Sequence, residues 1–254
     1  MSDLRHLDLA DGRRIAYRLT EGAGPLLVFL PGYLSDMQGG KATALFDWAV
    51  RHGRACLLLD YSGCGESSGD FADGTLSRWR DEVVALVEHV GAIEEDGRVV
   101  IAGSSMGGWL MLLAARALGD RCAGIVGIAA APDFTDWGYD AAQKKALAGG
   151  ETIHEENHYG YPPTPTYPGF WRDGQAHRQL EETILLTCPA VLLHGQRDSE
   201  VPWEVSLRLA EKLGSDDVQV LLVKDANHRM SRDADVARLL DTIASFLDRL
   251  KDQA

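Results

Sequence analysis

Several features are scarce in this chain, and each scarcity removes a class of function. No run approaches the ~20 consecutive apolar residues that a bilayer-crossing helix needs, so no stable membrane insertion is expected. Basic residues are outnumbered, 25 Lys plus Arg against 38 Asp plus Glu, for a formal charge of −13 at pH 7. Nucleic acid and anionic membranes reward Lys/Arg patches, so neither is an expected partner. No G-x-x-x-x-G-K-[ST] stretch occurs and no glycine cluster has Rossmann spacing, which argues against nucleotide binding, even at Asp60-Tyr-Ser-Gly-Cys-Gly-Glu-Ser67. The four cysteines, Cys56, Cys64, Cys122 and Cys188, form no C-x-x-C pair, which argues against zinc knuckles and thioredoxin-like sites. Cys56 in an apolar strand pattern and Cys122 near the start of another read as buried, inert thiols. The N-terminus, MSDLRHLDLADGRR, has neither the apolar core of a signal peptide nor the Arg/Ser-rich character of a transit peptide. The expectation drawn from it is a cytoplasmic protein.

What is present is ordinary globular material: 254 residues, 45% hydrophobic and 25% charged, enough for one large α/β domain. Leu4–Leu9 and Arg14–Thr20 flank Asp11-Gly12, a turn signal for an antiparallel hairpin at a sheet edge. From Pro25 onward short apolar runs alternate with amphipathic helical patterns. Strands are expected at Leu26–Leu30, Ala55–Asp60, Arg98–Gly103, Gly124–Ala129, Ala190–His194 and Gln219–Val223. Helices are expected at Lys41–Arg51, Leu76–Val90, Gly107–Leu118, Trp203–Leu213 and Asp233–Leu250. Continuous Val/Ile/Leu runs suit parallel strands buried on both faces. The predicted class is therefore α/β, a mostly parallel eight-stranded sheet with helices on both faces. Between about Pro132 and Pro189 the alternation stops, in a stretch dense in proline and aromatic residues; a lid insertion is expected there, over about residues 135–187 of a single domain spanning 1–254.

Gly103-Ser104-Ser105-Met106-Gly107 fits G-x-S-x-G, with a strand run directly before it and a helix pattern directly after. A strand turning sharply into a helix strains its middle residue and needs small neighbours, which Gly103, Gly107 and Gly108 supply. Ser105 takes the central position and Ser104 is its neighbour on the strand. A serine hydroxyl needs a base, and the base needs an orienting acid. Asp198 lies in the loop after the strand ending at His194, with Glu200 as the reserve acid. Arg197 pairing and helix capping are the alternative tasks for Asp198. Among eight histidines, His228 alone falls in the last strand-to-helix loop, so it is the expected base. His194 is expected to pack or hydrogen-bond beneath the site. The oxyanion donors are expected to be the backbone N–H groups of Met106 and Tyr33, with Leu34 as alternative to the latter. Trp109, Tyr159, Tyr161, Tyr167, Phe170 and Trp171 are candidates to line an acyl pocket, or to form the lid's own small core.

In order and context, Pro31-Gly-Tyr, Asp60-Tyr-Ser-Gly-Cys-Gly, Gly103-Ser-Ser-Met-Gly-Gly, His194-Gly-Gln-Arg-Asp198 and Asn227-His228 resemble the α/β-hydrolase superfamily across essentially the whole chain. The longer matches, Gly103-Ser-Ser-Met-Gly-Gly-Trp-Leu-Met-Leu112, Val201-Pro-Trp203 and His228-Arg-Met230 among them, resemble its branch of palmitoyl-protein thioesterases and acyl-glucuronide hydrolases with their bacterial relatives. The mammalian members of that branch are mitochondrial. The resemblance implies Ser105, Asp198 and His228 as the triad; the stretch Thr135–Leu186 departs from the branch's pattern.

The expected activity is hydrolysis of a carboxylic ester or thioester, on a small molecule or an acylated protein, through an acyl-enzyme on Ser105 and without metal or organic cofactor. Medium or long acyl chains are expected to react faster than acetate. A haloalkane dehalogenase or epoxide hydrolase of this fold carries Asp where Ser105 stands. A C–C bond hydrolase, a peptidase or a non-catalytic binding protein of the same fold are the alternatives.

Overall fold

The central strands are buried almost continuously, because successive side chains point to opposite faces and both faces are covered. The computed structural model describes residues 3–91, 97–157 and 160–251. In chain order the elements are β1 (Arg5–Asp8), β2 (Arg14–Thr20), β3 (Ala23–Leu30), α1 (Gly40–Arg51), β4 (Arg54–Leu59), α2 (Leu76–Gly91), β5 (Val99–Ser104), α3 (Met106–Leu118) and β6 (Cys122–Ile128). There follow α4 (Phe134–Trp137), α5 (Ala141–Ala148), β7 (Ile153–Glu155), β8 (Thr164–Thr166) and α6 (Pro168–Ala176), and then β9 (Ala190–Gly195), α7 (Glu204–Lys212), β10 (Val218–Val223) and α8 (Asp233–Lys251).

The main sheet has eight strands in the order β1-β2-β4-β3-β5-β6-β9-β10. The β1–β2 hairpin and the β2–β4 pair are antiparallel and the other pairs are parallel. Along β3, Leu26, Val28 and Leu30 face a core shared with α2, α3 and α7, while Leu27 and Phe29 face a second core shared with α1 and α8. The chain winds from β3 to β4 on one side and returns to β5 on the other. The order therefore reverses between β3 and β5, and the crevice at the carboxyl ends of these two strands is where such sheets bind ligands. The loops carrying Tyr33 and Ser105 leave the sheet there.

The stretch 132–189 holds short helices and one small antiparallel hairpin, β7–β8, rather than a structureless loop. The local signals are specific once located. Asp140 and Gln143 form a capping box at α5, each side chain bonding the other's backbone N–H at 2.8 and 2.9 Å. Pro168 opens α6, where its missing N–H costs nothing. Asp133 ties one root of the insertion to the other, accepting from the N–H groups of Gln179 and Leu180 at 2.7 and 2.8 Å. Asp173 fastens α6 to the start of α2 through the N–H and hydroxyl of Ser77, at 2.8 and 2.7 Å.

Candidate active site

Ser105 sits between the last residue of β5 and the first of α3 with φ 55° and ψ −120°, a conformation non-glycine residues rarely adopt. Its backbone is held from three sides. The Ser105 N–H donates to Ile128 O at 2.9 Å, and its carbonyl accepts from Gly108 at 2.8 Å and Ala131 at 3.1 Å. Strain of this kind persists only where the surroundings over-determine it. Gly107 is required by close approach: a Cβ there would collide with the carbonyl oxygens of Leu30 and Pro31. That contact presses the start of α3 against the loop that follows β3.

His228 comes from the loop after β10, and Asp198 from the loop after β9. The two loops are bound together, Gln196 N–H to Val223 O and Arg197 N–H to Ala226 O, both at 2.9 Å. His228 Nε2 lies 3.0 Å from Ser105 Oγ and its Nδ1 lies 2.8 Å from Asp198 Oδ2. Asp198 is fully buried at its side chain, and its second oxygen accepts the N–H groups of Glu200 and Val201 at 2.9 and 2.8 Å. Burial alone raises a carboxyl's pKa, but hydrogen bonds from His194 and His228 and the Val201 N–H outweigh it and hold Asp198 well below the usual carboxylate range. Glu200, the reserve acid, approaches the other ring nitrogen, Nε2, at 3.9 Å, and so stands on the nucleophile's side of the imidazole.

His194 is wholly buried on β9, under Asp198. Its Nε2 faces two acceptors, Asp198 Oδ2 and Val201 O, each at 3.1 Å, which assigns that nitrogen the proton. Its Nδ1 then accepts from the Ser206 hydroxyl at 2.7 Å. His194 thus holds Asp198 from below while His228 meets the same carboxylate from above.

Gly32 passes directly against the elbow; a Cβ there would lie 3.3 Å from Ser104 O and 3.4 Å from Ser105 Cβ. Tyr33 and Met106 therefore flank Ser105, and both line the same cleft of about 350 Å³ as Ser105 and His228. Met106 heads α3, where first-turn N–H groups have no intrahelical acceptor. Leu34 has φ 55° and is half exposed.

The sequence-predicted pocket aromatics among the described residues lie elsewhere than the cleft wall. Trp109 is fully buried, its indole N–H on His177 O at 3.1 Å. Phe170 is buried among Tyr33, Trp79 and Phe134. Trp171 bonds Thr135 O at 3.1 Å, and Tyr161 is exposed with the Arg229 guanidinium 6.0 Å from its ring. Tyr159 lies outside the described residues. Phe134, Trp137 and Tyr139 line the cleft instead. The sequence reading missed them because it followed the densest aromatic stretch. Their signal was position: they come off the carboxyl end of β6, and residues leaving a parallel strand there face the crevice. Glu155, Glu156 and Glu200 add carboxylates to the cleft lining, and burial pushes the Glu155 carboxyl up against an opposing hydrogen bond from Gln143. Among the described residues no group of three or more His, Cys, Asp or Glu is placed to hold a metal ion, and no helix is long and apolar enough to cross a membrane.

Comparison with known proteins adds an independent line. A model of the prolyl oligopeptidase family matches residues 42–253. The mitochondrial palmitoyl-protein thioesterase ABHD10 of mouse is 37% identical over 98% of this chain and 84% of its own length. The human protein of the same name is 34% identical over 98% and 81%. The solved structure of the mouse α/β hydrolase domain-containing protein 10 matches with a TM-score of 0.89 at 34% identity, covering 98% of this chain and all of its own. A putative hydrolase from Agrobacterium vitis matches at 0.87 and 33%, covering 96% and 98%. Est1E of Butyrivibrio proteoclasticus, with ferulic acid bound, shares the fold at 0.78 and 19% identity, covering 98% and 99%. These relatives overturn the expectation of a cytoplasmic protein, since the curated ones carry mitochondrial names; N-terminal composition says little about location when the relatives point elsewhere.

Proposed function

Since the chain belongs to the prolyl oligopeptidase family by its family model and to the family of ABHD10 palmitoyl-protein thioesterases by its relatives, we propose that it hydrolyses acyl thioesters and esters through an acyl-enzyme on Ser105. Residues from about 135 to 187 act as the lid of this site within one domain. The observation that carries the reading is the unbroken contact from Ser105 Oγ through the His228 ring to Asp198, at 3.0 and 2.8 Å.

The chemistry follows from that geometry. Ser105 Oγ attacks the acyl carbonyl as His228 Nε2 takes its proton. Asp198, ionised throughout, fixes the tautomer and stabilises the imidazolium. The oxyanion is met by the Met106 and Tyr33 N–H groups at the head of α3 and the turn after β3. The imidazolium returns the proton to the leaving thiol or alcohol, and a water activated by the same nitrogen clears the acyl group. Phe134, Trp137 and Tyr139 supply apolar surface for an acyl chain, which favours medium and long chains over acetate.

Fluorophosphonate labelling of the wild type, Ser105→Ala and Ser104→Ala tests the nucleophile, alongside p-nitrophenyl esters and neutral thioesters of rising chain length. Label and turnover are expected to vanish with Ser105→Ala alone, and kcat/KM to rise with chain length; absence of label in the wild type overturns the reading. Peptide-bond cleavage is a second reading, favoured by the family model's name. A prolyl peptide amide in the same panel, cleaved faster than any thioester, would put it first.

A further inference from the structure

The reaction ascribed to Ser105 uses the carboxyl ends of the strands. At the opposite end of the sheet a second cavity, of about 390 Å³, opens beside the amino ends of β6 and β9, and two cysteines line it. Cys122 is the first residue of β6 and Cys188 lies just before β9. These strands are parallel neighbours, registered from Ile125 against Ala190, and the Ile125 N–H bond to Pro189 O at 3.0 Å carries the pairing to the residue beside Cys188. The two sulfurs share a hydrogen bond at 3.9 Å. A disulfide's S–S bond is ~2.05 Å long, so sulfurs 3.9 Å apart need to approach by roughly 2 Å to form one.

The two thiols are unequal. Cys122 is buried; its hydrogen bond with Cys188, and burial after it, push its pKa up. Cys188 is half-buried at the cavity wall, and the shared hydrogen bond lowers its pKa against the effect of burial. A thiolate is the nucleophile of cysteine chemistry, which makes Cys188 the attacking sulfur and Cys122 the resolving one. The other two cysteines provide a contrast inside the same molecule. Cys56 is fully buried with its pKa raised, and burial pushes Cys64 up to about 12.

We infer that Cys122 and Cys188 are a redox-active dithiol that reduces a hydroperoxide and closes to an intramolecular disulfide, a second reactive site independent of Ser105. The Cys188 thiolate attacks one oxygen of the hydroperoxide; the O–O bond breaks, Cys188 becomes a sulfenic acid, and the departing alkoxide or hydroxide takes up a proton. The Cys122 sulfur then attacks the Cys188 sulfur, forming the S–S bond and expelling hydroxide, which leaves as water with the Cys122 thiol proton. Two electrons pass from the thiol pair to the peroxide, and an external thiol reverses the step. The bond closes a loop of chain between residues 122 and 188, which contains the whole insertion, and constraining such a loop in the unfolded chain stabilises the fold.

Hydrogen peroxide at a small molar excess, followed by denaturing alkylation, proteolysis and mass spectrometry, tests the site in the folded protein. The expected product is one peptide linked Cys122 to Cys188, with Cys56 and Cys64 alkylated, the linkage removed by dithiothreitol, and the same result in Ser105→Ala. Oxidation should raise Tm by several degrees. In Cys122→Ser, Cys188 should stop at a sulfenic acid that dimedone traps; Cys188→Ser should consume no peroxide at Cys122. Peroxide that oxidises wild-type Cys188 without linking it to Cys122, that joins separate molecules, or that reacts equally at Cys56 overturns the inference.

Discussion

The sheet with its crossing helices and the insertion between β6 and β9 are held together in different ways. The sheet is held by repetition: side chains along β3 to β6 entering the two apolar cores in turn, and ladder hydrogen bonds between the strands. The insertion is held by individually placed contacts, Asp133 on Gln179 and Leu180, Asp173 on Ser77, and indole N–H groups on backbone oxygens at His177, Thr135 and Pro132. On the proposed mechanism the repetitive part carries the chemistry, since the loops bearing Ser105, Asp198 and His228 follow the main-sheet strands β5, β9 and β10. The irregular part lines the cleft beside Ser105 with Phe134, Trp137, Tyr139, Glu155 and Glu156, the surface that meets the substrate in the proposed reaction. A rigid scaffold that positions loops, with specificity given by an addition on top of it, is a common division, and it separates rate from selectivity as targets for substitution.

The sharpest break in that comparison is at the elbow. Ser105→Ala should lower kcat by about a million-fold and Asp198→Asn by about ten-thousand-fold, the sizes found when nucleophile or orienting acid is removed from such a unit. Far-ultraviolet circular dichroism should be unchanged in both. Steady-state kinetics on a p-nitrophenyl ester reads the loss, and an effect under a hundredfold for Ser105→Ala removes the scaffold from the chemistry.

Next in size is His194, which belongs to the scaffold yet never reaches the cleft. A hydrogen bond to a buried carboxylate is worth about 1.5–3 kcal/mol, so His194→Gln should lower kcat roughly 10- to 150-fold with KM little changed. Its acid stability should also shift. Asp198 is held in the folded protein below its unfolded value of about 3.9. Its stabilising contribution is therefore complete above that value and is lost as pH falls through the lower, folded pKa. Removing one of the bonds that holds it down moves the loss to higher pH, so acid unfolding of His194→Gln should begin earlier than that of the wild type. Equal acid midpoints would place His194 in packing alone.

The same division governs what could be read from sequence. The main-sheet strands and crossing helices fall within about three residues of their expected places, because continuous apolar runs in the central strands and amphipathic helical periods follow directly from which faces are buried. Leu26–Leu30 and Arg98–Gly103 needed no partner to be recognised. The cleft wall did. Trp109 and Phe170 look like pocket residues by type, and the fold buries them because rings of that size bury best where several elements meet. Tyr139 looks unremarkable, yet it lines the cleft, carried there by the segment that follows β6. The Cys122–Cys188 pair was equally hidden, since the two residues stand 66 positions apart and only strand order brings them together.

A smaller effect tests the insertion as the source of selectivity. Trp137 lines the cleft and is half-buried, with its indole N–H on Pro132 O at 2.8 Å. Trp137→Ala removes apolar wall worth about 1–2 kcal/mol to a bound chain, at ~25 cal/mol per Å². The ratio of kcat/KM for a long acyl ester over acetate should fall roughly tenfold, with acetate turnover altered less than threefold. If both substrates fall together, the insertion supports the chemistry rather than choosing the chain.

The smallest effect concerns charge. Glu155, Glu156 and Glu200 line the cleft, and no Lys or Arg does so among the described residues. A leaving group that carries phosphates, as coenzyme A does, meets like charge on approach, whereas a neutral thiol or a cysteine flanked by basic residues does not. Exposed charge interactions are worth about 0.2–1 kcal/mol, so Glu155→Gln with Glu156→Gln should raise kcat/KM for an acyl-coenzyme A by about twofold to fivefold and leave a neutral thioester of the same chain length unchanged. The gain should shrink at high salt, because the screening length contracts from ~10 Å at 0.1 M to ~3 Å at 1 M. A gain that ignores ionic strength, or one shared by the neutral thioester, would mean that the carboxylates act through the shape of the β7–β8 hairpin rather than through their charge.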